Sequence, residues 1–192
     1  MFRKQFCVVL AGAVAFSFGF TAAATAQQYP DKPIKLIVPY PPGATNDLLA
    51  RVLAEPLAKE LGQPVIVDNK GGAATAIGAT ATANAPADGY TMLLGTGTTY
   101  TLNPLLKKGL AYDTDRDFKM VSIIAEVPVV FIVNPKFPAR TLSEFVAYAK
   151  SKPGQLNYGS AGNGSAGHLA FEYLKMATDT FVLHVPYRGT GP

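Results

Sequence analysis

The sequence predicts an α/β fold of parallel strands covered by helices, and three observations lead there. Short β-branched runs such as 34–38 (Ile-Lys-Leu-Ile-Val) and 65–67 (Val-Ile-Val) alternate with stretches whose apolar residues recur every three or four positions. Turn formers separate the two kinds of segment, and glycine loops recur directly after strands. In a parallel sheet that is the carboxyl end, where ligands are held. With 192 residues, 48% of them hydrophobic and 16% charged, the chain can bury a core.

Residues 1–26 stand apart from that pattern. Arg3 and Lys4 precede an apolar run over 6–20, and small residues end it at Ala24-Thr25-Ala26. This reads as a secretory signal peptide cleaved after Ala26, since the run is shorter than the roughly 20 residues of a bilayer span. Cleavage would remove Cys7, the only cysteine, and lower the formal charge from +4 to +2. A mature chain without thiols tolerates an oxidising compartment without using it. Basic residues are not clustered among aromatics, so nucleic acid is not an expected partner.

The strand at 34–38 comes first. Residues 39–43 must then form a loop, because three prolines in five positions leave few amide donors. Leu48, Leu49, Val52, Leu53, Leu57 and Leu61 have helical spacing, with Thr45 or Asn46 as N-cap, Gly62 as stop and Pro56 as an internal kink. A strand at 65–67, a glycine-containing loop over 68–75, an alanine-rich helix near 76–84 and a strand at 91–94 follow. Gly95-Thr96-Gly97 makes another loop. The apolar runs over 121–133, split around 126–128, are expected to be strands crossing to a second lobe, which places a domain junction between 126 and 127. Thr141-Leu142-Ser143-Glu144 is a capping box opening a helix whose buried face is Leu142, Phe145, Val146 and Ala149. Leu156, Asn157 and Tyr158 then enter Gly159-Ser160-Ala161-Gly162-Asn163-Gly164-Ser165, a helix runs to about Ala177, and a strand occupies 181–185.

The stretch from Asn157 to Leu169 reads as strand, glycine loop and helix start, a combination suited to anions: free N–H groups point outward at the positive end of a helix dipole, and glycine lets backbone approach a ligand. Several chemistries compete for it. Gly162-Asn163-Gly164-Ser165-Ala166-Gly167 fits G-x-G-x-x-G, but the next strand ends in Pro186, without the ribose-binding acid. A hydrolase using Ser160 or Ser165 with His168 lacks the G-x-S-x-G elbow at either serine; Ser165 as N-cap, with His168 in the first turn, is the simpler reading. Two histidines without cysteine do not make a zinc set. Asp113, Asp115 and Asp117 open like a calcium loop, yet Phe118 and Ile124 stand where glycine and glutamate are required. No cofactor, metal or catalytic residue is expected.

Beside these readings stands a resemblance. The segment 29–39, the Pro41-Pro42-Gly43 loop with Asp47, Ala87-Asp88-Gly89-Tyr90-Thr91, Tyr112-Asp113 with Asp117-Phe118, the stretch 156–169 and His184-Val185-Pro186-Tyr187-Arg188-Gly189 together resemble the Bug family. These are periplasmic solute-binding receptors of tripartite tricarboxylate transporters. The resemblance implies a periplasmic-binding-protein-like (Venus flytrap) fold of two βαβ lobes, at 27–126 and 127–192. The second is expected to be incomplete, since family members are longer. It implies a non-enzymatic monomer that closes on a small carboxylate and delivers it to membrane transporter subunits. Carried over by position, the ligand-binding residues are Tyr40, Pro42, Gly43, Ala44 and Asp47 in one pincer and Ser160, Gly162, Asn163, Gly164, Ser165 and His168 in the other. Gly95, Thr96, Tyr187 and Gly189 complete the wall. Two departures stand out: Ala44 replaces a second glycine, and Lys70-Gly71-Gly72-Ala73-Ala74-Thr75 replaces Arg-Pro-Gly-Ala-Gly-Gly. At 44 a methyl group would narrow the loop or demand φ values it resists.

Overall fold

The computed structural model describes residues 29–189, so the signal segment and the last three residues lie outside the described residues. The described elements all belong to the compact unit that begins at Lys32. Its first sheet has β1 (Ile34–Val38) at the centre, flanked by β2 (Val65–Asn69) and β3 (Thr91–Leu93), all parallel. Ile34 pairs with Val65, and Lys35 pairs with Ile66 on one side and Thr91 on the other. A central strand covered on both faces should be apolar nearly throughout. In β1 only Lys35 is exposed.

Helix α1 (Thr45–Leu61) links β1 to β2, and α2 (Ala76–Ala83) links β2 to β3. The core between them contains Leu36, Val38, Ala50 and Leu94, with Tyr40, Val65, Val67 and Met92 packed around it. Helix α1 runs through Pro56 and stops at Gly62, whose φ of 67° is the left-handed conformation of a helix end. Its N-cap is Ala44, without a side-chain cap bond, so neither Thr45 nor Asn46 serves. Asp47, in the first turn, instead reaches back to the Gly43 amide ahead of the helix. Beyond β3 the chain makes one widened turn over Thr98–Leu102, leading into the short α3 (Asn103–Leu106).

A second sheet pairs β4 (Asn157–Ser160) with β5 (Leu183–Pro186), again in parallel. Helix α5 (Ala166–Thr178) connects them, and α4 (Leu142–Ser151) precedes them. The capping box at α4 is formed: Thr141 Oγ1 accepts from Glu144 N at 3.2 Å, and the Glu144 carboxylate accepts from Thr141 N. Phe145, Ala149, Tyr158, Phe171 and Val182 make the core here, while Leu142 is exposed rather than part of the buried face. The Tyr158 and Phe171 rings stack at 3.8 Å, and Phe131 adds its ring to Phe145 at 4.8 Å.

The expected strands over 121–133 are not formed; residues 119–134 run without ladder partners. Strand propensity measures how well side chains fit a pleated surface with neighbours. Here Val121, Ile123 and Ile132 are each at least 80% exposed, so an apolar sequence alone does not make a strand.

Replacing Phe171 by alanine should remove the centre of the second core and cost about 3 to 5 kcal/mol. A urea unfolding series would show it as a large fall in midpoint; an unchanged midpoint would mean that this ring cluster is not what holds β4 to α5.

Candidate functional site

The first loop starts from a shortage of donors. Pro39, Pro41 and Pro42 carry no amide hydrogen, so few backbone bonds can shape residues 39–43. Asp47 supplies the brace from the first turn of α1: its Oδ2 accepts from Gly43 N at 2.8 Å and from Arg51 Nε at 3.1 Å, and its Oδ1 accepts from Asn69 Nδ2 at 2.9 Å. Asn69, the last residue of β2, also donates to Tyr40 O at 3.2 Å. The Arg51 bond, then the Gly43 amide and the Asn69 amide, hold the Asp47 carboxyl down to about 2 against the opposing effect of burial. A carboxylate consumed in this way shapes the loop from beneath. Gly43 takes φ 82°, which only glycine adopts freely. Ala44 has φ −68° and is fully buried, so the methyl turns inward and neither narrows the loop nor strains it.

Two further loops meet the first. The Tyr40 hydroxyl and Thr96 Oγ1 lie 2.9 Å apart, tying the pincer to the loop after β3. Gly95 has no side chain because the Tyr100 ring occupies that space: a Cβ would come within 2.3 Å of it. After β2, Ala73, Ala74 and Thr75 have φ values of 49°, 51° and 73°, three successive non-glycine residues in the left-handed region. Such a run is strained by about 1 kcal/mol or more per residue and needs outside support. Asn103 Nδ2 donates to Ala74 O at 2.7 Å, Thr99 Oγ1 donates to Thr75 Oγ1 at 2.9 Å, and Lys107 Nζ donates to Ala73 O. The Tyr112 hydroxyl, donating to Thr99 O at 2.8 Å, closes this buried network. Thr99, Asn103, Lys107 and Tyr112 were not legible in the sequence as a group, because nothing in Leu102-Asn103-Pro104 distinguishes a buried brace from an exposed turn.

From the second sheet, residues 160–165 form the glycine loop. Gly162 and Gly164 have φ 118° and 78°, and a Cβ on Gly162 would lie 2.9 Å from Tyr187 O. Tyr187 N donates to Ser160 O at 2.9 Å and Gly189 N to Ala161 O at 3.1 Å, so the loop after β5 runs alongside the glycine loop. Ser165 caps α5, its Oγ accepting from His168 N at 3.3 Å. The His168 ring is bonded elsewhere: its Nδ1 accepts from Gly164 N at 3.2 Å. The Gly162 amide is likewise used, donating to Ser160 Oγ at 3.1 Å. Among the described residues the amides of Asn163, Ala166 and Gly167 have no protein acceptor, and two of them open α5. The hydroxyl and imidazole that do meet are Ser160 and His184, at 2.7 Å, a pair that residue order did not reveal.

The loops of the two sheets converge. A Cβ on Gly189 would meet Pro41 at 3.0 Å, and one on Gly164 would lie 4.0 Å from Ala74 Cβ. Pro41 and Ala74 therefore face Gly189 and Gly164 across the site. Pro42 and Gly43 are exposed at the tip of the first loop, and Asn163 is exposed at the tip of the second. Among the described residues no group of three His, Asp or Glu side chains is placed to hold a metal. Asp113, Asp115 and Asp117 form a surface turn, in which Arg116 Nε reaches Asp117 at 2.7 Å.

Residues 49–192 match the tripartite tricarboxylate transporter family receptor profile. Protein BugT of Bordetella pertussis is 39% identical over 175 residues, covering 91% of this chain and 54% of that protein. A Rhodopseudomonas palustris protein solved with adipate superposes with a TM-score of 0.80 at 37% identity, over 84% of this chain and 54% of the other. MatC from Rhodopseudomonas palustris, solved with bound malate, gives 0.78 at 35% identity, over 85% and 56%. The chain spans about half the length of the curated relatives it matches.

Two substitutions test the braces. Asp47→Asn should cost about 2 kcal/mol at neutral pH, the scale of bonds to a charged group. The folded value, about 2, lies below the unfolded 3.8, so the stabilisation is complete above the unfolded value and disappears as pH falls from there through the folded one. Acid unfolding of the wild type should show that loss and the variant should lack it. Ala74→Gly should raise stability by about 1 kcal/mol by relieving the left-handed backbone; a fall in thermal midpoint would mean that the turn is not strained.

Proposed function

We propose, from the premise that this chain belongs to the tripartite tricarboxylate transporter receptor (Bug) family, that it captures a small mono- or dicarboxylate between two lobes and presents it to membrane transporter subunits. The family is one of transporter receptors rather than enzymes, and structural relatives are periplasmic binding proteins. Relatives solved with adipate and with malate make those two dicarboxylates the first candidates for this chain. Residues 1–26 would export it, and the junction between lobes would lie near 126.

The observation that carries the reading is the pairing of unbonded amides at the head of α5 with converging loops from both sheets. Asn163, Ala166 and Gly167 offer N–H groups where the helix dipole favours negative charge. Tyr40, Thr96 and the loop at 187–189 would wall the ligand, with Asp47 and Ser165 holding the two pincers in shape rather than touching it. Recognition through backbone amides reads the carboxylate itself and discriminates weakly beyond it. The rival reading, an exported hydrolase using Ser165 and His168, finds no support in a serine bound to the amide of His168 and a histidine ring turned to Gly164.

Calorimetric titration with adipate, malate and a monocarboxylate should show binding of at least one. Gly162→Ala should weaken it about tenfold or more, because the added methyl would meet Tyr187 O and the φ resists it. Absence of binding across the panel, together with ester turnover lost in Ser165→Ala, would overturn the receptor reading.

A further inference from the structure

Both histidines of the chain stand in one aromatic column behind the glycine loop. Phe171 stacks on Tyr158 at 3.8 Å, Tyr158 on His184 at 4.7 Å, and His168 lies tilted against His184 at 4.3 Å. Each imidazole is bonded to the loop. His184 Nε2 lies 2.7 Å from Ser160 Oγ, the oxygen that also accepts from Gly162 N and lies 3.3 Å from Gly162 O. His168 Nδ1 accepts from Gly164 N at 3.2 Å.

Proton counting makes this arrangement depend on charge. Ser160 has one hydroxyl hydrogen. With His184 neutral and its Nε2 free, the hydroxyl can point at the imidazole; once Nε2 carries a proton, the hydroxyl must turn to Gly162 O, while its oxygen accepts from both Nε2 and Gly162 N. His168 can accept from Gly164 only while its Nδ1 is bare, so a proton there sets two donors against each other and expels the glycine amide. Adjacent rings 4.3 Å apart also resist carrying two charges together.

We propose that His184 and His168 are positioning residues for the loop at 160–165: the neutral pair holds the ligand-receiving arrangement, with the Ser160 hydroxyl on His184 and the Gly164 amide on His168, and protonation turns that hydroxyl to Gly162 O and frees the Gly164 amide. The inference rests on the receptor reading above only for what the loop receives. The surroundings favour the neutral state of His184: burial, then the neighbouring His168, push it below the ordinary histidine value, with Lys175 adding to this and Glu172 opposing. Glu172 is itself occupied, accepting from Tyr158 at 2.6 Å and from Lys175 at 2.8 Å. From the loop after β5 the facing titratable group is Tyr187, whose ring lies against Gly159.

The test needs no ligand at first. Amide spectra of the ligand-free chain, followed from about pH 8 to pH 5 across the ordinary histidine value, should show the Gly162 and Gly164 signals moving together with the two imidazole signals. In His184→Gln, neutral at every pH, the Gly162 response should vanish while Gly164 still follows His168. His184→Phe keeps the stack but not the bond, and should shift Gly162 at every pH and weaken adipate binding about tenfold. Flat glycine signals beneath titrating rings would overturn the proposal. Affinity for adipate that rises on acidification would also overturn it, since the imidazolium would then be attracting the carboxylate directly. Glycine signals that follow the rings, with no binding of adipate or malate at any pH, would uphold the positioning role and count against the receptor reading alone.

Discussion

The Asp47 carboxylate is the contact on which the first half of the site depends. Three prolines strip residues 39–43 of most amide donors, and a loop with so few backbone bonds needs a side chain to fix its shape. Asp47 bonds the one glycine amide at the tip, Arg51 on its own helix, and Asn69 at the end of the neighbouring strand. Through Asn69 the same group reaches Tyr40 O, and Tyr40 in turn meets Thr96. Loop, helix and two strand ends are thus registered to one side chain. A negative charge beneath a loop that is proposed to take an anion would repel it, unless that charge were neutralised. Arg51 supplies the opposite charge, and the Gly43 and Asn69 amides bond the carboxylate oxygens.

The second half is organised on different physics. Glycines supply conformations that no other residue adopts freely, and side chains from β4, α5 and β5 fill the space behind them. Hydroxyl and imidazole groups, rather than a carboxylate, complete the bonds of Gly162 and Gly164. One loop is therefore held by a charged carboxylate, and the other by a serine hydroxyl and a histidine ring. The turn at Ala73, Ala74 and Thr75 is a third solution: strained backbone held open by the side chains of Thr99, Asn103 and Lys107.

Much of this was legible in the chain before any coordinates. Strands β1 to β5 and helices α1, α2, α4 and α5 followed from periodicity, the stop at Gly62 and the capping box at Thr141 from local chemistry, and the parallel pairing from strand–helix alternation. The runs around Val129 failed for the complementary reason: their pattern was that of a strand, but a ladder requires a neighbour that no local pattern can specify. Ala44 was misjudged because the backbone angle of a residue after Gly43 is not written in its own identity.

The sequence by itself determined the βαβ order and the placing of glycine loops at strand ends, because these rest on interactions within about one helical turn or one strand of each other; the family was carried by the resemblance of motifs along the chain. Only the tertiary structure decided which polar groups meet across the fold. That Ser160 faces His184 rather than His168, that Asp47 turns beneath its loop, and that Asn103 supports a turn 29 residues away are consequences of packing. Hydrogen bonds act over a few ångströms in space, and separation along the chain carries no record of which groups the fold will bring that close.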